Sequence, residues 1–300
     1  LINDKKNAFL GVFGMLSFNM PKNVEKNGRV RGYVDALIDF FRRYMGENLV
    51  SVILFGSYVE GEVSKHLSDV DMIIVVDGKL DKKLIKKASN LIKILELKYG
   101  ISNNCYSFFD KFLHALEKGT GMFISHFICK YDDFVNGNFS GIFSTNRILS
   151  KVLAPSEIVL ATFQKKAQTI WGKDLLNEMR KPKITIIQLI KSCYMNFLLS
   201  VGALIISPFS KKAIKFSMEA VKWSLHSCSF CATGESKAVE KEGKNFIKNG
   251  ICEKHIKRLI SLRKKMATDI RFVLKTPITV LKIHQTTLKK LRNQKKRQKN

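Results

Sequence analysis

The chain has 300 residues at 34.2 kDa, 45% apolar and 26% charged, with 18 Gly and 5 Pro. That composition excludes a disordered, collagenous or low-complexity protein and leaves room for two ordinary domains. Its 52 Lys+Arg against 25 Asp+Glu give a net charge of +27, which suits a polyanionic partner; half of the excess lies in the last fifty residues, and 51–150 are nearly neutral.

Residues 1–30 read as irregular, with an aromatic arm at Phe9, Phe13 and Phe18. Residues 32–46 have helical period, with Val34, Leu37, Ile38 and Phe41 on one face and Gly46 as the stop. The apolar run 50–55 ends in glycine and reads as a buried strand, and 69–76 reads as a second, closed by Asp77-Gly78. Residues 81–98 form a Lys-rich amphipathic helix stopped by Gly100, and 105–109 are expected to be a third strand. Beyond about 150 the period is helical, in segments 156–180, 184–206, 211–229, 235–248 and 251–274, punctuated by Ser207-Pro208, Thr233-Gly234 and Asn249-Gly250. The fold class expected is α+β: an α/β domain with a small mixed sheet over 1–150, an α-helical domain over 151–285, and a disordered basic tail over 286–300.

No uncharged apolar stretch reaches the roughly 18 residues of a membrane span; the nearest, 194–209, reads as a buried core helix. Residues 1–30 lack the order of a signal peptide, and the six cysteines are dispersed, so a reduced, cytoplasmic protein without a membrane partner is expected.

Chemistry concentrates between residues 55 and 72. A strand ends at Gly56-Ser57, where a residue without Cβ lets backbone approach a ligand and a hydroxyl sits beside turn N–H groups suited to phosphate. Eleven residues later come Asp69 and Asp71, two apart on a strand and so on one face, with Val70 and Met72 turned to the core. Paired carboxylates repel unless neutralised; Mg²⁺, which takes oxygen ligands and is completed by substrate phosphates, resolves the conflict.

An apolar residue, Gly, Ser, a gap of nine to thirteen and Asp-apolar-Asp-apolar resemble the signature of the nucleotidyltransferase superfamily that includes DNA polymerase β. Phe55-Gly56-Ser57 and Asp69-Val70-Asp71-Met72 fit every position, and Gly61-Glu62 and Ser68-Asp69 resemble the minimal members. The resemblance implies that Gly56, Ser57 and Ser68 bind the nucleoside triphosphate, ATP above all, and that Asp69 and Asp71 hold Mg²⁺. It further implies that a nucleoside monophosphate passes to a hydroxyl of a small molecule or an RNA, with release of pyrophosphate. A third acid usually stands on the following strand; here it is Asp110, or Asp133, or missing, since Asn103 and Asn104 occupy the middle of 101–110. If it is missing, the chain is a nucleotide-binding protein with impaired transfer. Met218 to Ser224 and Thr233-Gly234, with Ser236-Lys237, resemble the helical domain of aminoglycoside nucleotidyltransferases.

Two further features compete with plainer explanations. Cys228, Cys231, Cys252 and His255 have a spacing that can hold structural Zn²⁺, against buried free cysteines acting as small hydrophobes. The acid-free 289–299 segment is either a solvated terminus or a phosphate-contacting arm for RNA.

Overall fold

The computed structural model describes residues 20–60, 70–78, 82–101, 125–211, 213–235, 237–265 and 267–297. Asn27, whose side chain accepts from the Val30 N–H, caps a long helix α2 (Gly28–Met45) that follows a single turn, α1 (Lys22–Glu25). Gly46 ends α2 with φ +56. Next come β1 (Leu49–Phe55), the short α3 (Ser57–Glu60), β2 (Asp71–Val76) and α4 (Lys82–Lys98).

The strand expected at 105–109 lies outside the described residues. The strand seen beside β2 is β3 (His126–Lys130), followed by two short helices, α5 (Tyr131–Val135) and α6 (Phe139–Ile142). Then come α7 (Arg147–Leu153), capped by Asn146, α8 (Ser156–Lys166) and β4 (Gln168–Gly172). Segment 156–180 is therefore not one helix: α8 stops at Lys166 and the chain re-enters the sheet.

The sheet order is β3-β2-β1-β4, with β2–β3 parallel and the other two pairs antiparallel. β1, β2 and β3 each alternate between two buried faces. Val52, Leu54, Met72, Ile74 and Ile128 pack on α2 and α4. Ile53, Ile73, Val75, Phe127 and Cys129 pack on the other side with Phe134, Ile142, Leu160 and Phe163 of α5, α6 and α8. At about 25 cal/mol per Å², two apolar faces of this kind supply the main driving force for the sheet.

The remaining elements are α9 (Ile186–Ile206), α10 (Ala213–Thr233), α11 (Val239–Lys248), α12 (Glu253–Lys264) and α13 (Ile270–Arg297). Leu189, Val221, Leu225, Ile256, Phe272 and Ile283 join them in one core. By length and composition α9 is long and apolar enough to cross a membrane, unlike the expectation from the uncharged run, because the helix begins before Lys191 and tolerates it. Half of its most apolar stretch is buried inside the protein.

The basic tail also differs from its expectation. Residues 286–297 continue α13, and Leu288 and Leu291 pack against the helical core. Lys, Arg and Gln are good helix formers, and two leucines three apart give that turn an apolar edge to bury.

Candidate functional site

β1 and β2 bring the two halves of the motif together. Phe55 is the cross-strand partner of Asp71, so Gly56 follows directly beside that carboxylate. Gly56 has φ +74, a left-handed backbone that L side chains avoid, and its carbonyl accepts from the N–H groups of Val59 and Glu60. A Cβ on Gly56 would collide with Asp71 Oδ2 and lie 3.1 Å from Cγ. The glycine is thus required twice, by the turn and by the acid resting against it. Ser57 opens α3 immediately after, half-buried, while Tyr58 anchors the turn: its ring is buried and its carbonyl accepts from Asn23 Nδ2 at 3.1 Å.

Val70 and Met72 are fully buried on the α2 side. Asp71, of opposite parity, shares the face of Ile73 and Val75 that looks toward α8. Asp71 is half-buried at the first position of β2. Ser68, Asp69 and Asp110 lie outside the described residues.

Of the alternatives for a third acid, Asp133 is displaced. β3 runs parallel to β2 with His126 opposite Met72 and Lys130 opposite Val76, so Asp133 lies past the end of the sheet remote from Asp71. It serves the α5–α6 turn, where its Oδ1 accepts from Asn138 Nδ2 at 2.6 Å. On the β3 side, among the described residues, Ser125 and His126 stand beside the start of β2, and the Ser125 carbonyl accepts from the Met72 N–H at 2.7 Å.

Behind them is a buried polar group that sequence reasoning missed. His126 Nε2 is 2.8 Å from the Tyr33 hydroxyl, and Nδ1 is 2.7 Å from Ser125 Oγ. Ser125 Oγ also donates to Glu96 Oε1 at 3.3 Å, and that oxygen is 3.5 Å from His126 Nδ1. Burial pushes His126 down to about 3, so the ring is neutral near pH 7. Glu96, on α4, is the carboxylate that reaches the head of β3; its partner is 29 positions away, beyond any spacing signal.

A second missed residue is Lys166, at the end of α8. Its Nζ donates to Glu60 Oε2 at 2.5 Å, mostly buried, and so fastens the helix after the Gly-Ser turn to the far side of the sheet. Its neighbour Lys165 donates to the Gly234 carbonyl at 2.6 Å and lies over the Phe230 ring. One short helix end thus ties the turn to the helical part.

Oxygen donors of the kind Mg²⁺ takes are present in Asp71, set against the left-handed turn at Gly56. The cysteines do not gather. Among the described residues no three His, Cys, Asp or Glu side chains are placed to share a metal. Cys228 is buried in α10, its thiol pushed up by burial, and Cys231 is pushed up to about 11. His255 stacks on Phe272 and meets Thr276 Oγ1 at 3.2 Å. The zinc expectation is replaced by packing.

Residues 34–119 match the family model described as nucleotidyltransferase domain, a span that includes Gly56, Ser57, Asp69, Asp71 and Asp110. The chain carries a nucleotidyltransferase domain. Among solved structures, the chain is similar to spectinomycin adenyltransferase AAD(9) from Enterococcus faecialis, crystallised with ATP and spectinomycin. The TM-score is 0.52 at 13% identity, covering 86% of this chain and 98% of that one. The likeness extends through the helical part, so the α+β class and the order of sheet then helices are shared by both folds. A search of the curated proteins finds no match.

Proposed function

We propose that the protein transfers a nucleoside monophosphate from ATP to a hydroxyl of a small-molecule acceptor, releasing pyrophosphate, in a Mg²⁺-dependent reaction. The observation that carries this reading is the left-handed Gly56 packed against Asp71, which sets the Gly56-Ser57 turn beside a carboxylate at the start of β2. Gly56 and Ser57 would hold phosphate oxygens, with Ser68 from the loop, and Asp69 and Asp71 would hold Mg²⁺. Bound there, the ion neutralises charge on the transferring phosphoryl group. Small-molecule acceptors are favoured by the fold shared with an enzyme crystallised with spectinomycin. Cytoplasmic location belongs to the same proposal, whereas the limits expected near residues 150 and 285 do not, since β4 completes the sheet as far as Gly172 and α13 runs on to Arg297.

The transfer needs a base for the acceptor hydroxyl. Asp110 remains the assignment from sequence. Glu96, which Ser125 holds at the head of β3, comes from α4 on the sheet face opposite Asp71 and serves as the control carboxylate. A second reading, a nucleotide-binding protein with impaired transfer, rests on Ser125 and His126 standing where β3 adjoins β2 without an acid of their own.

The test is pyrophosphate release and labelled-nucleotide incorporation over a panel of aminocyclitol, aminoglycoside and RNA acceptors, with Asp71→Asn, Asp110→Asn and Glu96→Gln. The transferase reading expects a loss of about a hundred- to a thousandfold in Asp71→Asn. Wild type and Asp71→Asn equally silent on every acceptor, with ATP still bound, would establish the impaired reading instead.

A further inference from the structure

The exposed apolar side chains of the helical part are organised. Ile187, Ile190, Tyr194, Leu198 and Ile205 recur on one face of α9, and each is between 37% and 66% exposed. Beside that face lies α7, joined to α9 by Lys191 Nζ donating to the Lys151 carbonyl at 2.5 Å, and α7 adds Ile148 and Val152 to the exposed set. The opposite side of α9 is the one that packs on α13, where Leu199 and Ala203 meet Val280. Isolated exposed leucines need no explanation, but an aligned stripe on packed helices does.

The charge around the stripe is one-sided. Segments 134–156 and 179–218, which contain α7 and α9, hold no Asp or Glu, and Glu157, which borders the start of α9, is paired with Arg180. Arg147, Lys151, Lys183 and Lys211 are exposed in or beside them. Exposed cations therefore adjoin exposed aliphatic side chains on α7 and at the ends of α9.

We infer that this face seats on an anionic phospholipid bilayer surface. Aliphatic side chains enter the headgroup–acyl boundary, Tyr194 sits at the depth tyrosine prefers, and the cations meet lipid phosphates. A second copy of the chain fits less well, because two faces carrying Arg147, Lys151, Lys183 and Lys211 would be pressed together. A nucleic acid would satisfy the charge and leave the aliphatic stripe in water. The helix lies on the membrane and does not cross it. Its other face holds Ser192 and Asn196 in the protein interior, with Ser192 Oγ 3.3 Å from His284 Nε2. Crossing would strip those partners away.

The test is sedimentation of the full chain with vesicles of phosphatidylcholine alone and with about 30 mol% phosphatidylglycerol. Binding is expected on the anionic vesicles, at least about tenfold weaker on the neutral ones, and weakened by salt. Ile190→Glu with Leu198→Glu should lower it by about tenfold or more, and Arg147→Gln with Lys151→Gln by about fivefold per charge. If the Glu pair lowers the melting temperature, Ile190→Gln with Leu198→Gln serves in its place. Absence of vesicle binding overturns the inference. So does binding that the apolar variants leave untouched, or equal retention on polyuridylate that only the charge variants reduce. A dimer by light scattering, dispersed by the apolar variants and indifferent to vesicles, assigns the face to self-association instead.

Discussion

Substituting Gly56 by alanine separates what the turn demands from what the acid demands. Any L residue at φ +74 bears a backbone cost of about 1–2 kcal/mol. Gly250, at φ +70 with nothing within 4 Å of a built Cβ, isolates that cost. Gly250→Ala should therefore lose about 1–2 kcal/mol, a fall of about 2–4 °C in melting temperature per kcal/mol, and keep its transfer rate. At Gly56 the new methyl meets Asp71 Oδ2, and Cγ and Cβ lie 3.1 and 3.4 Å away, so the carboxylate must swing aside. Its rotation is cheap in stability and expensive in chemistry, since a displacement of about 1 Å in a reacting group costs about a hundredfold in rate. Gly56→Ala is expected to melt within a few degrees of Gly250→Ala but to transfer at about one hundredth of its rate, measured by pyrophosphate release at saturating ATP. Equal rates in the two variants would refute the assignment of Asp71 to the reaction.

Three other outcomes follow from the same geometry. Burial lowers His126 to about 3 and His284 to about 4, so the native state binds fewer protons than the unfolded one. Their contribution is full above the unfolded value near 6.5 and is lost as pH falls from there toward 4 and 3. At about 1.4 kcal/mol per pH unit each, urea midpoints at pH 5 should reflect a loss of up to about 4 kcal/mol against pH 7, and a flat profile would mean that the rings are not held neutral. Lys166→Met should cost about 1–3 kcal/mol by leaving Glu60 unpaired in a mostly buried place, and adding Glu60→Gln should recover at least half of it in a double-mutant cycle by thermal melting. Deleting residues 286–300 should lower the melting temperature by about 4–8 °C, because Leu288 and Leu291 leave the helical core; an unchanged melt would mean that the segment contributes nothing to it.

What could be read from the sequence follows the range of the interactions. β1 and β2 were legible because an apolar run closed by glycine is a local signal, and the Gly56-to-Asp71 spacing needed only two adjacent strands. β4 was hidden because an edge strand buries little: Ile170 is its one fully buried side chain, and the helical period of α8 leads straight into it. β3 was missed because only its register with β2 singles out 126–130, while the strand expected at 105–109 lies outside the described residues. The tail looked solvated because lysine dominates its composition, while two leucines decide its packing. Glu96 with Ser125, Tyr33 with His126 and Glu60 with Lys166 join residues 29, 93 and 106 positions apart, and no local pattern encodes such pairs.

The placement of β4 has a consequence for how the polypeptide can be divided. β1 is hydrogen-bonded on one side by β2 and on the other by a strand that arrives only after α8. A fragment ending at residue 150 would leave the edge of β1 bare, a run of Val50 to Phe55 whose unpaired amides and aliphatic side chains invite pairing with another molecule. During synthesis the catalytic sheet is likewise incomplete until about twenty more residues have emerged. The smallest soluble piece carrying Gly56 and Asp71 must therefore extend beyond Gly172, so that the seam between the sheet and the helices is bridged by the chain that completes the sheet.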